Sequence, residues 1–343
     1  MRLLAIIAVR KGFATFYTQI PAAYLLATLA VRSLLGLEDE IKRAIDRVSE
    51  LEELIRRIRE IKVTDFACGN GTLLTASYSA LMNVLTALKH YKGLDINLDE
   101  IGKAVIEEGV YGVDALKYAA QVTAINLALI SPGNITKENI HTIYLGYITG
   151  KNQPWLGSLE LLNNSKRVGG ILSFIEGYKI EGIEKVSLEG SEGSFELPEK
   201  FDLVIMNPPF TRATGRVSEE FSGRRGLFGF ISEEKYRKKL LDQLDDEVRK
   251  DVREDLRDIA RDFARRENLP DIIKEIINGT RDEFKRYLNI GQAGEGLLFL
   301  YLAYKYVKPG GVIASCCLGM FYQALVGSSQ GHYWLVSSTL STS

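Results

Sequence analysis

The stretch KVTDFACGNGTLL, from Lys62 to Leu74, most constrains what this chain can fold into. A short run of strand character stops at a carboxylate, passes two closely spaced glycines and enters a helical segment reaching about Leu88. The alternation then repeats. Val110 to Val113 reads as a strand ending at Asp114, and Leu116 to Leu129 as a helix. Asn139 to Tyr147 reads as another strand, and Phe201 to Met206 as a buried one centred on Leu203, Val204 and Ile205. Leu297 to Tyr306 reads as a helix, Pro309-Gly310-Gly311 as a turn and Val312 to Cys317 as a strand. Strands alternating with helices predict an α/β fold, a mostly parallel twisted sheet with helices on both faces.

In such a sheet, ligands lie outside the carboxyl ends of the strands, where the strand order switches. Two sequence features fall at strand ends of that kind. The first is the glycine turn itself. Gly69 and Gly71 let the backbone approach a ligand closely, because no Cβ intervenes. The turn lacks the third glycine of a dinucleotide fingerprint and the Gly-Lys-Ser/Thr of a phosphate loop. Asp65 instead offers a carboxylate, which suits a cationic group such as an ammonium. Asp114 stands where nucleotide-binding sheets place an acid on ribose, and Asp95 is a weaker candidate for that role. The distance from Gly71 to Asp114 predicts extra structure between Ser79 and Glu108. A plain strand-to-helix connection would also account for this turn.

The second feature is FDLVIMNPPF. Two prolines cannot donate to a sheet ladder, so the strand must stop at Asn207. With φ fixed at Pro208 and Pro209, the Asn207 side chain, the Pro208 carbonyl and the Phe210 ring form a rigid set of acceptors beside a stacking surface. Taken alone, a proline-rich turn after a core strand would read the same way.

Composition narrows the alternatives. With 43 Lys and Arg against 44 Asp and Glu, the net charge of -1 gives no overall basic field, though a local patch is allowed. Cys68, Cys316 and Cys317 have no metal-ligand spacing, and His90, His141 and His332 are scattered, so no metal is expected and a reducing cytoplasm is. MRLLAIIAVR lacks a clear cleavage site, and PAAYLLATLAVRSLL is short for a bilayer and carries Arg32, so no membrane segment is expected.

DFACGNG followed by NPPF resembles the N6-adenine DNA methyltransferases of restriction-modification systems. ATFYTQIPAAYLLATLAV is similar to their segment over the methionine end of the cofactor. GVDALKYAAQVTAINLAL resembles their second-strand acid and following helix, and GQAGEGLLFLYLAYKYVKPGGVIASCC their later helix, turn and strand. The resemblance spans about Phe16 to Cys317. It implies a Rossmann-like fold and S-adenosylmethionine as cofactor, held by Tyr17, Thr18, Asp65, Ala67, Gly69, Gly71 and Asp114. It also implies catalysis by Asn207, Pro208, Pro209 and Phe210 on a flipped adenine, with DNA as partner. Phe66 replaces the usual proline, Asn70 the usual serine or threonine, and Gln19 follows Thr18 where proline is common. The family's acid near the cofactor adenine has no clear counterpart; LGSLELL offers Ser158 and Glu160.

The expected organisation is an N-terminal helical segment over residues 1–62, helical from Pro21 to Leu35 and from Leu37 to Ile61. A catalytic domain over 63–343 follows, with a helical insertion at about 214–290. That insertion carries an apolar stripe at Val248, Val252, Leu256, Ile259 and Phe263, and Arg212, Arg216, Arg224 and Arg225 are candidates for phosphates. After Cys317 the chain reads as a Gly- and Ser-containing tail, so the strand over Val312 to Cys317 is expected at an exposed edge. Truncation, a frameshift, or a separate specificity or restriction subunit would each fit. Methylation of protein glutamine or RNA, and a non-catalytic cofactor-binding component, stay open.

Overall fold

The computed structural model describes residues 18–36, 48–148, 154–162, 183–186, 197–209, 295–316 and 333–337. Helix α1 (Ile20–Leu35) has Pro21 in its first turn, where a missing N–H costs nothing. It stops at Gly36, whose φ of 65° turns its N–H back onto the carbonyls of Arg32 and Ser33. Ala23, Leu26, Ala27, Ala30 and Val31 recur at helical spacing and are fully buried. Each buried leucine there contributes about 1.5–3 kcal/mol. Helix α2 (Val48–Glu60) turns Leu51, Leu54 and Ile58 inward, while Arg56 bridges Glu53 and Glu60 outside. The part of the expected second helix before Val48 lies outside the described residues.

Strand β1 (Val63–Asp65) passes through the glycine turn into α3 (Thr72–Lys92), which ends at left-handed Gly93. The extra length before the next strand is helical. In α4 (Leu98–Ala104), the Asn97 side chain accepts from the Glu100 N–H, and one π-helical turn over Val105–Gly109 follows. Strand β2 (Val110–Asp114) and helix α5 (Lys117–Ile130) complete the second unit. Strand β3 (Asn139–Ile143) pairs with its neighbours only to Ile143. The chain therefore leaves the main sheet at Tyr144, and the single strand expected over Asn139 to Tyr147 is two. The second, β4 (Leu145–Ile148), pairs with β5 (Pro154–Leu156) in a separate ribbon, followed by a 3-10 turn over Gly157–Leu162. Strands β6 (Ile183–Val186) and β7 (Phe201–Met206) come next, then helix α6 (Glu295–Tyr306), β8 (Val307–Cys316) and β9 (Tyr333–Ser337). The expected insertion over 214–290 lies outside the described residues.

The main sheet has the order β6-β3-β2-β1-β7-β8-β9. All neighbours are parallel except β3 and β6. One core layer lies under α1, α3 and α5; the other lies under α6 and the 3-10 turn. Val312, Ala314 and Cys316 of β8 enter the first layer and Ile313 the second, as strand alternation requires. The fold is therefore α/β with a Rossmann-like sheet flanked by helices. Among the described residues, no helix is long and apolar enough to cross a membrane.

Two expectations are corrected at β8. Pro309-Gly310-Gly311 does not precede the strand but sits inside it as a bulge. The register moves from Phe201 opposite Val307 to Leu203 opposite Val312. Pro309 cannot join the ladder, Gly310 takes φ 78°, and a Cβ on Gly311 would lie 2.8 Å from the Asp202 carbonyl. Nor is the Val312–Cys316 edge bare. Strand β9 pairs with it in parallel from Tyr333 opposite Val312 to Ser337 opposite Cys316. YWLV is a run of strand formers inside a tail that otherwise looks featureless.

Candidate active site

The strand order switches between β1 and β7: β2 and β3 lie on one side of that pair, β8 and β9 on the other. A crevice is expected there, outside the carboxyl ends. The last register pair of β1 and β7 is Thr64 with Val204. Asp65 follows one residue later and Asn207 three later. With ~4.8 Å between strands and a rise of ~3.3 Å per residue, the two ends are neighbours. The topology thus brings the acid of the glycine turn and the Asn-Pro-Pro segment together across a long stretch of sequence.

The turn is held from several directions. Its backbone closes on itself through the Gly71 N–H to the Cys68 carbonyl at 2.8 Å, and on β2 through the Cys68 N–H to the Val113 carbonyl at 3.0 Å. Gly69 and Gly71 have φ of 55° and 79°, the left-handed region that favours glycine. Asp65 Oδ1 accepts from the Ala67 N–H at 2.8 Å, and its other oxygen accepts nothing among the described residues. Asp114 Oδ2 accepts from the Gly69 N–H and Oδ1 from the Leu116 N–H, both at 2.8 Å. The Asn70 side chain accepts from the Thr72 hydroxyl at 2.7 Å, starting α3.

Helix α5 supplies two more holds, which the sequence reading did not assign. The Thr123 hydroxyl donates to the Gly69 carbonyl at 2.9 Å, and Asn126 Nδ2 donates to the Asn70 carbonyl at 2.8 Å. The signal was present: two polar residues three apart, hence on one face of a mostly apolar helix.

The electrostatics follow from burial. Asp65 is buried and has no cation beside it among the described residues. Burial pushes its carboxyl up to about 8; the nearby Asp114 charge adds to this and the Ala67 N–H opposes it. Asp114 is also raised by burial, against the pull of the Leu116, Gly69 and Ala115 N–H groups. Burial likewise holds the Cys68 thiol well above its ordinary value, which argues against a nucleophilic thiolate there. Among the described residues, neither acid has a cation beside it, and both stand next to a backbone with close-approach glycines.

The other sequence candidates take distinct places. Asn207 is half-buried at the exit of β7, with Pro208 buried beneath the turn and Pro209 partly so. Thr18 is partly buried just before α1. Leu34 and Leu35, at the far end of α1, line a cleft with Lys62, Asp202 and Lys308 at the amino ends of the strands. Thr18, at the opposite end of the helix, therefore points toward the carboxyl edge. Tyr17, Phe210 and the four arginines after it lie outside the described residues. Asp95 falls in the connection between α3 and α4 and does not end a strand. Ser158 and Glu160 are both buried in the 3-10 turn, and Glu160 Oε1 accepts from the Leu156 N–H at 2.8 Å. That bond gives Glu160 a structural job. Ser158 follows Gly157, where a Cβ would come within 3.7 Å of Ala115, the residue after Asp114.

Residues 41–139 match the family model described as the DNA-methyltransferase domain of MmeI. The matched region takes in β1, the glycine turn, β2 with Asp114, and α5 with Thr123 and Asn126, and it stops before Asn207. It supports a DNA methyltransferase of the restriction-modification type. No curated protein matches the chain.

Proposed function

We propose that this chain transfers a methyl group from S-adenosylmethionine to the N6 amine of adenine in DNA, as the modification component of a restriction-modification or related defence system. The observation carrying this reading is the meeting of the acid-lined glycine turn and Asn207-Pro208-Pro209 at the switch between β1 and β7. The site fits the cofactor by its chemistry. Asp65, which has no cation beside it among the described residues, would take the ammonium; Gly69 and Gly71 allow close backbone approach. Asp114 would take ribose hydroxyls on its remaining lone pairs, since each carboxylate oxygen has two. Tyr17 and Thr18 would cover the methionine end. When bound, the cofactor supplies a methyl group made electrophilic by a sulfonium.

The protein's task is the amine. Its lone pair is conjugated with the adenine ring, so it is a poor nucleophile. The Asn207 side-chain oxygen and the Pro208 carbonyl would accept its two hydrogens and favour a tetrahedral nitrogen. Positive charge developing on that nitrogen is stabilised by carbonyl dipoles that the two prolines have already oriented. Holding the nitrogen in line with its target lowers the remaining barrier. A duplex hides the amine, so the base must be flipped, with Phe210 as its stacking face. Arg212, Arg216, Arg224 and Arg225 are proposed for the flanking phosphates. A separate specificity or restriction subunit is proposed as a further partner.

Methyl transfer from labelled cofactor to DNA, RNA and protein, run in parallel with the Asn207→Ala variant, tests the reading. Label in N6-methyladenine of DNA, lost in the variant, is expected. Label in glutamine or RNA would replace the substrate while keeping the amine chemistry, and no label at all would leave a cofactor-binding component.

A further inference from the structure

We infer that Thr123 and Asn126 of α5 are positioning residues for the cofactor turn, acting through the two carbonyls they hold; the inference rests on the S-adenosylmethionine reading above. The Gly69 and Asn70 carbonyls belong to successive peptide units, and α5 takes both, at 2.9 and 2.8 Å. A trans peptide is planar and its carbonyl and N–H point in opposite directions. Drawing the Gly69 carbonyl toward α5 therefore turns the Asn70 N–H away from that helix. This N–H donates to nothing among the described residues, whereas the N–H groups on either side are engaged by Asp114 and by the Cys68 carbonyl. The turn thus presents one oriented backbone donor, and α5 sets its direction.

The contact is too close to be incidental. A Cβ on Gly71 would lie 2.8 Å from Thr123 Cγ2 and 3.1 Å from Thr123 Cα, so helix backbone and turn are pressed together. Thr123 is fully buried, and its hydroxyl also lies 3.7 Å from Cys68 Sγ. Asn126 reaches the turn with an amide, which can donate to a carbonyl; a carboxylate there could only repel it. The pair therefore fixes two peptide planes of a glycine-containing segment that would otherwise sample many conformations.

The test uses the full chain with Thr123→Val, Thr123→Ser, Asn126→Asp and Asn126→Ala. Two measurements are made: calorimetric affinity for S-adenosylmethionine, and hydrogen exchange of the Gly69 to Gly71 amides in the free protein. Thr123→Val and Asn126→Asp keep shape and remove one donor each. Each is expected to weaken cofactor binding about tenfold and to speed exchange in the turn, with exchange in β1 unchanged. Thr123→Ser, which keeps the hydroxyl, should bind as the parent does. Wild-type affinity and exchange in Thr123→Val and Asn126→Asp would overturn the inference. So would a Thr123→Ser variant as weak as Thr123→Val, since packing of the methyl would then be what matters. A parent protein that binds no cofactor would sink the functional reading, while the exchange rates would still decide whether α5 holds the turn. Should Asn126→Ala unfold, Thr123→Val and its serine rescue carry the decision.

Discussion

The two edges of the same parallel sheet treat their carboxylates in opposite ways. At the amino edge, Asp202 is answered in full: the Lys308 ammonium lies 2.9 Å from both its oxygens, and the Lys62 N–H donates to it at 2.8 Å. At the carboxyl edge, Asp65 is more deeply buried and among the described residues has only one backbone N–H, with a second acid nearby instead of a base. A fold stabilised by its own charges would pair both. The contrast teaches where the molecule stops serving its own stability. A buried acid without a cation is costly unless something else brings the positive charge.

The largest effect expected is at Asn207, proposed to hold the target amine and not the cofactor. Asn207→Ala should lower methyl transfer by ~10²–10³-fold or more, the scale of removing one preorganised polar group, with cofactor affinity preserved. Single-turnover kinetics beside calorimetry read both. Near-normal turnover would mean that the carboxyl edge does not work as described.

Asp65 sharpens the comparison through pH. Its carboxyl titrates at about 8 in the folded chain against 3.8 as an ordinary side chain. Between those values the unfolded chain has lost the proton and the native chain keeps it, so stability should fall as pH rises through that window. Asp65→Asn should flatten that slope in melting curves taken from pH 4 to 8. A cationic ligand favours the ionised form, so binding at pH 7 should release a proton from the parent and none from Asp65→Asn. Binding heats in buffers of different protonation enthalpy will show it. Equal heats in both buffers for the parent would return Asp65 to a purely structural role.

For Asp114→Ala, the expected loss of cofactor affinity is ~1.5–3 kcal/mol, that of a hydrogen bond to a charged group. Unchanged affinity would take Asp114 out of the site and leave it as the anchor of the Gly69 and Leu116 N–H groups. The smallest effect belongs to the amino edge. Lys308→Met removes a partly exposed ion pair and should cost about 1 kcal/mol of stability or less, with methyl transfer and cofactor affinity untouched. A change in cofactor affinity would break the division between the two edges.

Much of this frame can be read before any coordinates. Phe201–Met206 is a largely apolar run stopped by two prolines, and Val63–Asp65 runs into a glycine turn, so local chemistry alone marks them. The meeting of Asp65 with Asn207 needed only the rule about switch points. Partnerships made by folding were out of reach. Asp114 and Glu160 look like free acids in a sequence, yet both hold backbone N–H groups. Thr123 and Asn126 look like helix polarity until the turn is laid against them. Strand β9 was missed because Tyr333 to Val336 lie among residues of low strand preference, and KPGG suggested a turn where the strand bulges.

One pairing also sets a schedule for making the protein. Lys62 and Asp202 are bonded across 140 residues, and β1 stays half-covered until β7 arrives to lie beside it. Strands β1, β2 and β3, with α3, α4 and α5 between them, come from one continuous stretch and can assemble as it leaves the ribosome. At ~5–20 residues per second, β7 follows β1 by roughly 7–30 s. Through that interval the most central strand of the sheet presents an open edge to every other nascent chain nearby. The place where the two halves of the crevice meet is thus the last part of the sheet's centre to close, and the first place where a slow or interrupted synthesis would leave the molecule sticky.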